Sequence, residues 1–184
     1  MQYRLLGLLL IISFSYFVQA ELPNKEDNFK VRVAIVDVQS ILEGSMAIKN
    51  LRNKVEKINQ KIQEDINTKE AEFKPMEESV MKERSSLSED EFKKKVSEFY
   101  EKVTEVKKEI QSKKARLEQA HAEAMSKIHE LTITIISELA EKYSVNLVIP
   151  SAQILYAKDN LNITSEVTFI LNERLKEVQI NYNY

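Results

Sequence analysis

Two apolar stripes that mirror each other constrain this chain most. Ile48, Leu51, Val55, Ile58, Ile62, Ile66, Phe73, Met76 and Val80 recur at spacings of three, four and seven. So do Phe92, Val96, Phe99, Val103, Val106, Ile110, Leu117, Ala124, Ile128, Leu131, Ile135 and Leu139. A narrow stripe near a 3.5-residue period is the seam of a coiled coil, in which each helix hides one face against a partner. The partner is in the same chain. Val80 with Phe92, Met76 with Val96, Phe73 with Phe99, Ile66 with Val106, Ile62 with Ile110 and Val55 with Leu117 have residue numbers that each sum to 172. An antiparallel hairpin folded about Ser86 brings these pairs level.

Local signals agree with that reading. Residues 85–88 supply the turn, and Ser88 with Glu91 forms a capping box that starts the return helix. Glu70/Lys74, Glu78/Lys82, Glu91/Lys95, Glu98/Lys102 and Glu109/Lys113 stand four apart, the spacing that supports exposed helix faces. Pro75 lies inside the outgoing helix and is expected to bend it, since it removes one backbone donor and crowds the preceding turn. An arm from about residue 48 to 84 would project roughly 55 Å.

Outside the hairpin the pattern shortens. Residues 31–38 are β-branched and apolar on both faces, so they read as a strand buried on both sides. After the return helix, ending at Tyr143, residues 145–149 read as a second strand and 153–157 as a third, with a bend at Pro150 between them. Thr164 is the expected N-cap of a last short helix over 166–178. The fold expected is mainly α with a small β head, made of 31–47 and 132–184, and a long coiled-coil hairpin, 48–131, inserted between its strands. Two Gly and three Pro in 184 residues leave too few turn formers for a sandwich, barrel or multi-loop α/β enzyme. A head so small, with free strand edges, is marginal alone. It is expected to oligomerise through Val33, Ile35, Val36, Leu147, Ile149, Ile154 and Tyr156.

The first twenty residues read as an address. Arg4 precedes an apolar run over 5–18, and Val18-Gln19-Ala20 places small residues at −3 and −1, so cleavage is expected between Ala20 and Glu21. Fourteen apolar positions fall short of the roughly 20 needed to span a membrane. Residues 21–30 form a polar leader. An exported chain with no Cys suits a bacterial periplasm better than a disulfide-rich setting.

The search for chemistry returns little. Glu118 and His121 make one Glu-x-x-His element, but a metal site in a helical bundle needs a second, and His129 has Ser126 in the corresponding place. Gly44 is the one glycine after the leader, so no phosphate-cradling loop can form. No enzyme activity and no cofactor are expected. The arms are only slightly basic, with 19 Lys+Arg against 18 Asp+Glu over 49–131, and the whole chain has a net charge of −2. That balance argues against a nucleic-acid binder. An envelope scaffold binding one defined partner is the alternative that the hairpin itself leaves open.

The order of these elements resembles the Skp (OmpH-like) family of periplasmic chaperones. The resemblance is carried by residues 33–42 (VAIVDVQSIL), 145–149 (VNLVI), 152–157, and Asn162-Ile163-Thr164 with Val167 and Leu171. It covers about 31–178, the hairpin by layout and heptad character. It implies a tentacle fold: a homotrimer whose strands form a central β body, with three hairpins around a cavity. It further implies an ATP-independent holdase for unfolded outer-membrane proteins in the periplasm. Members of that family are often strongly basic, whereas this chain has a pI of about 5.9. A weak contact with membrane or lipopolysaccharide stays among the expectations, with no site assigned.

Overall fold

The computed structural model describes residues 30–183. The expected signal segment, its cleavage point at Ala20 and Glu21, and nearly all of the polar leader lie outside the described residues. Along the chain run β1 (Val33–Val36), α1 (Val38–Gly44), α2 (Met46–Lys82), α3 (Glu89–Lys142), β2 (Leu147–Pro150) and α4 (Thr164–Arg174), with three short 3-10 turns between them. α2 and α3 form the hairpin, and at 1.5 Å per residue they are roughly 55 and 80 Å long. None of the described helices is long and apolar enough to cross a membrane.

The hairpin follows the mirrored stripes. Phe73 and Phe99, whose numbers sum to 172, meet edge to face with ring centroids 6.0 Å apart. The tip is the 3-10 turn Glu83–Ser85, closed by Ser86 and Leu87 N–H groups donating to the Glu83 carbonyl. Ser88 then caps α3 through a complete capping box with Glu91. That use of Glu91 redirects a neighbour: Lys95, expected to pair with Glu91, reaches across the hairpin to Glu83 instead. Met76 also departs from expectation. Assigned to the seam, it is 43% exposed, one residue past Pro75, through which α2 stays helical.

The core sits at the root of the hairpin. Ile48 and Leu51 of α2 pack with Ala124, Ile128, Ile135 and Leu139 of α3, Val36 of β1, Ile41 of α1, and Val167 and Leu171 of α4. β1 and β2 pair in parallel, Val33 opposite Leu147 and Ile35 opposite Ile149, as a crossover through the whole hairpin requires. On its other side β1 touches the chain again, where the Ile163 N–H donates to the Ile35 carbonyl at 3.0 Å.

Several boundaries differ from the sequence reading, some through a hydrogen bond that overrides propensity and others through core packing or the lack of a strand partner. The first strand stops at Val36, since Asp37 accepts the Ser40 N–H and caps α1, which draws Val38 into a helix. Gly44 and Ser45 separate α1 from α2. Buried Ser45 caps α2 at the Ile48 N–H, while Asn172 of α4 donates to the Gly44 carbonyl at 3.1 Å and accepts the Met46 N–H at 2.8 Å. The expected third strand over 153–157 is absent. Ser151–Gln153 is a 3-10 turn, and the extended residues after it find no ladder within one chain. Thr164 is the first residue of α4 rather than its cap. Its hydroxyl accepts the Asp37 N–H at 2.8 Å, and Asn162 Oδ1 takes the Thr164 N–H at 2.9 Å. α4 ends at Arg174 instead of 178, because Leu175, Val178 and Ile180 reach the core in a non-helical segment.

α3 ends in a Schellman motif built on Ser144, whose φ of 54° lies in the left-handed region. The Val145 N–H donates to the Ala140 carbonyl at 2.7 Å and the Ser144 N–H to that of Glu141 at 3.0 Å. A side chain in that conformation is strained where glycine is not. Ser144→Gly should therefore stabilise the fold by about 0.5–1 kcal/mol, raising Tm by roughly 1–4 °C in thermal unfolding.

Two ion pairs tie α4 to α3. Arg174 grips Glu138 with both guanidinium nitrogens, at 2.9 and 2.6 Å. Glu166 accepts from Lys142 at 3.0 Å and from the Tyr143 hydroxyl at 2.8 Å. Both carboxyls are held below their ordinary value of 4.5, Glu138 chiefly by Arg174 and Glu166 chiefly by Tyr143 and then Lys142. Such depressed groups contribute stability that is fully present above their unfolded value and lost as pH falls through the lowered folded value. Hydrogen exchange of α4 amides, corrected for intrinsic rates, should thus be flat from about pH 6 to 9 and speed up below about pH 4.5. A variant carrying Glu138→Gln and Glu166→Gln should lose most of that acid dependence.

Candidate functional site: the outer arm and the open head edge

The arm is built so that little of it can be buried. A two-helix section gives each side chain one neighbouring helix, and water reaches the other sides. Among the described residues, none between Ile62 and Leu117 is fully buried. Val55, Ile66, Phe73, Val80, Phe92, Val96, Phe99, Val106 and Ile110 are all half-buried along the seam, whereas Ile62 and Leu117 are buried near its root. Cross-hairpin ties hold the register where packing is thin. Lys113 sits between Asp65 at 2.8 Å and Glu109 at 3.0 Å, and its pKa is raised, chiefly by the hydrogen bond to Asp65. Near the tip the Arg84 guanidinium lies 5.4 Å from the Phe92 ring centre. Exposed pairs of this kind contribute about 0–1 kcal/mol each, enough to choose a register but not to stiffen a lever.

Apolar groups break through this polar sheath at a few points. Tyr100 is 62% exposed and stacks edge-on against Phe99 at 5.7 Å, which continues the Phe73–Phe99 contact out to the surface. Met76 and Met81 are exposed on α2 on either side of half-buried Val80. Met and aromatic side chains suit irregular, changing partners because they are polarizable and large. Met81 and Tyr100 lie off the 3.5-residue stripe, so periodicity alone passes over them.

The head presents a second surface. β2 has β1 on one side, and no other strand of the described chain pairs with it. Leu147 on that strand is half exposed, Leu155 fully exposed and Tyr156 82% exposed. Of the seven residues assigned to oligomerisation, Ile35 and Val36 are buried within the chain. Val33, Ile149 and Ile154 are half-buried, and Leu147 and Tyr156 are open. Beside β1 lies a cavity of about 660 Å³, lined by Val31, Arg32, Val33, Tyr143, Leu161 and Glu166. An unpaired strand edge and bare Leu and Tyr side chains leave the head with open apolar surface.

Neither surface carries a reactive constellation. His121 is half-buried in a groove with Arg52, Val55 and Glu56, and His129 is exposed on α3. The described residues contain no group of three His, Cys, Asp or Glu placed to hold a metal ion.

The comparisons agree with this architecture. A family model described as outer membrane protein (OmpH-like) matches residues 32–171. In fold, the chain is similar to a crystal structure of a candidate outer membrane chaperone (OmpH-like) from Caulobacter crescentus. The TM-score is 0.75 at 14% identity, with 84% of this chain and 91% of that one covered. Among curated protein sequences none matches. With head, hairpin and match all falling on the same stretch, this chain belongs to the OmpH-like outer membrane protein family.

Proposed function

We propose that this protein is an ATP-independent periplasmic holdase, which keeps unfolded outer-membrane β-barrel proteins from aggregating in a cavity between the arms of a homotrimer. The observation that carries the reading is the outer arm itself: some 50 residues of two-helix section with no buried core, opening apolar contacts at Met76, Met81 and Tyr100. A chaperone without nucleotide has no energy source to eject its client, so its contacts must be many, weak and reversible. Single Met and Tyr side chains on a polar arm offer contacts of that size, and several arms around one client raise effective concentration without any tight site. Enclosure blocks the edge-to-edge strand pairing by which unfolded barrel proteins aggregate. Pro75 gives each arm a soft point that lets the enclosure adapt to client size. The open β2 edge and the bare Leu155 and Tyr156 support assembly through the head.

The test dilutes a urea-unfolded outer-membrane β-barrel protein into urea-free buffer with and without this protein, following turbidity and the mass of soluble complexes by light scattering. Suppressed turbidity, a free mass of three chains and one client per three chains are the expected results. Undiminished aggregation with the protein unchanged in mass would overturn the reading in favour of an envelope scaffold with one defined partner. A variant carrying Met81→Ser and Tyr100→Ser should keep its Tm within about 2 °C, because both side chains are already largely exposed. Its client affinity should fall about three- to tenfold, read from the protein concentration that halves the turbidity.

A further inference from the structure

Residues 175–183 belong to neither the seam nor the strands, and their path is unusual. After α4 they turn away from the head and run beside α2. Asn50 Nδ2 donates to the Lys176 carbonyl at 2.8 Å, Lys54 Nζ donates to the Val178 carbonyl at 3.2 Å, and Lys54 also pairs with Glu177. Val178 is buried in the root core, with Leu175 and Ile180 packed against it. Gln179, Ile180 and Tyr182 then face Lys54, Lys57 and Ile58 across a groove of about 420 Å³. The lengths agree: residues 176–182 in extended form reach at most about 20 Å, and the stretch of α2 from Asn50 to Lys61 rises about 16 Å.

We propose that residues 175–183 are a stay that fixes the angle at which the arm leaves the head. Two helices joined only along a narrow seam bend easily across it, and a third segment tied to the side of α2 resists that bending. The stay is anchored by Val178 in the root core, with Leu175 and Ile180 packed against it. Its first half is held by Val178 and by carbonyl ties to Asn50 and Lys54, while its second half spans the groove. Release of the second half would let the arm swing from its root, whereas an intact stay moves bending outward past Lys61. In this way the molecule has a built control on how far its arms open, independent of whether it holds clients.

The chain has no cysteine, so Ser86→Cys at the tip and Ser165→Cys on α4 give two label positions with no background. Spin-labelled chains, diluted into excess unlabelled protein so that one labelled copy enters each assembly, report the tip-to-head distance distribution by pulsed electron resonance. Three proteins are compared: the labelled parent, a deletion of residues 176–184, and a variant carrying Asn50→Ala and Lys54→Ala that cuts the polar ties and leaves Val178 in place. The deletion should broaden the distribution about twofold with unchanged helical circular dichroism, and the double variant should fall between it and the parent. Distributions that match the parent in both variants would show that the segment only fills the core, and would overturn the proposal. If the deletion loses helical content, the double variant decides: broadening supports the stay and an unchanged width overturns it. Because the readout is a distance in the client-free protein, failure here is distinct from failure of the holdase reading.

Discussion

Everything in this molecule hangs on the packing at the root of the hairpin. A helix in a two-stranded coiled coil hides about a third of its circumference, so an isolated arm of this length buries too little apolar surface to offset the entropy of ordering it. Only where α4, α1 and β1 close around α2 and α3 does a core appear, with Ile128, Ile135, Val167 and Leu171 fully buried. The chain joins head and arm by running α3 through both without a break, from the tip at Glu89 to Lys142 under the head. Stability is concentrated at one end, and the far end inherits order from it through the seam.

The same root explains why α4 has so many polar duties. Splitting α1 from α2 leaves a carbonyl at Gly44 and an N–H at Met46 without helical partners, and such orphans cost about 1–3 kcal/mol each when shut away from water. Asn172 serves both with one side chain, while Thr164 serves the N–H of Asp37 at the end of β1. Gly44 allows the close approach this needs, since a Cβ there would lie 2.8 Å from a Thr168 methyl. α4 is thus the piece that turns a strand, a short helix and a hairpin root into one unit.

The hairpin was legible in the sequence because its determinants are local and repetitive: a stripe of fixed period, a mirrored register and a capping box at Ser88. The head was legible only in outline. Thr164 looks like a helix cap by its residue type, but its hydroxyl serves a backbone group 127 positions away, and no local pattern announces a bond of that range. The failure over 153–157 is of another kind. Ile154 does adopt extended backbone, with φ −122° and ψ 130°, so its propensity was read correctly. A strand also needs a partner, and the described residues supply none. Tyr100 escaped notice because periodic patterns select what is buried, and it stands out by not being so, while Met81, grouped by residue type with the seam's Met and Phe, is exposed instead.

Exposure therefore means different things at the two ends. At the head, the open β2 edge has a defined backbone direction, a geometry that suits one partner in one register. On the outer arm, Met76, Met81 and Tyr100 are scattered over a largely polar surface that has no open strand edge to impose a register. Under the proposed function, contacts there would depend on apolar area and little on sequence, so many different unfolded chains would satisfy them about equally. A protein that assembled through its arms would need the opposite arrangement, a continuous apolar face on the arm and a closed head. In the proposed holdase, the division of a specific edge at the root and unspecific contacts at the periphery would let one assembly state coexist with varied clients.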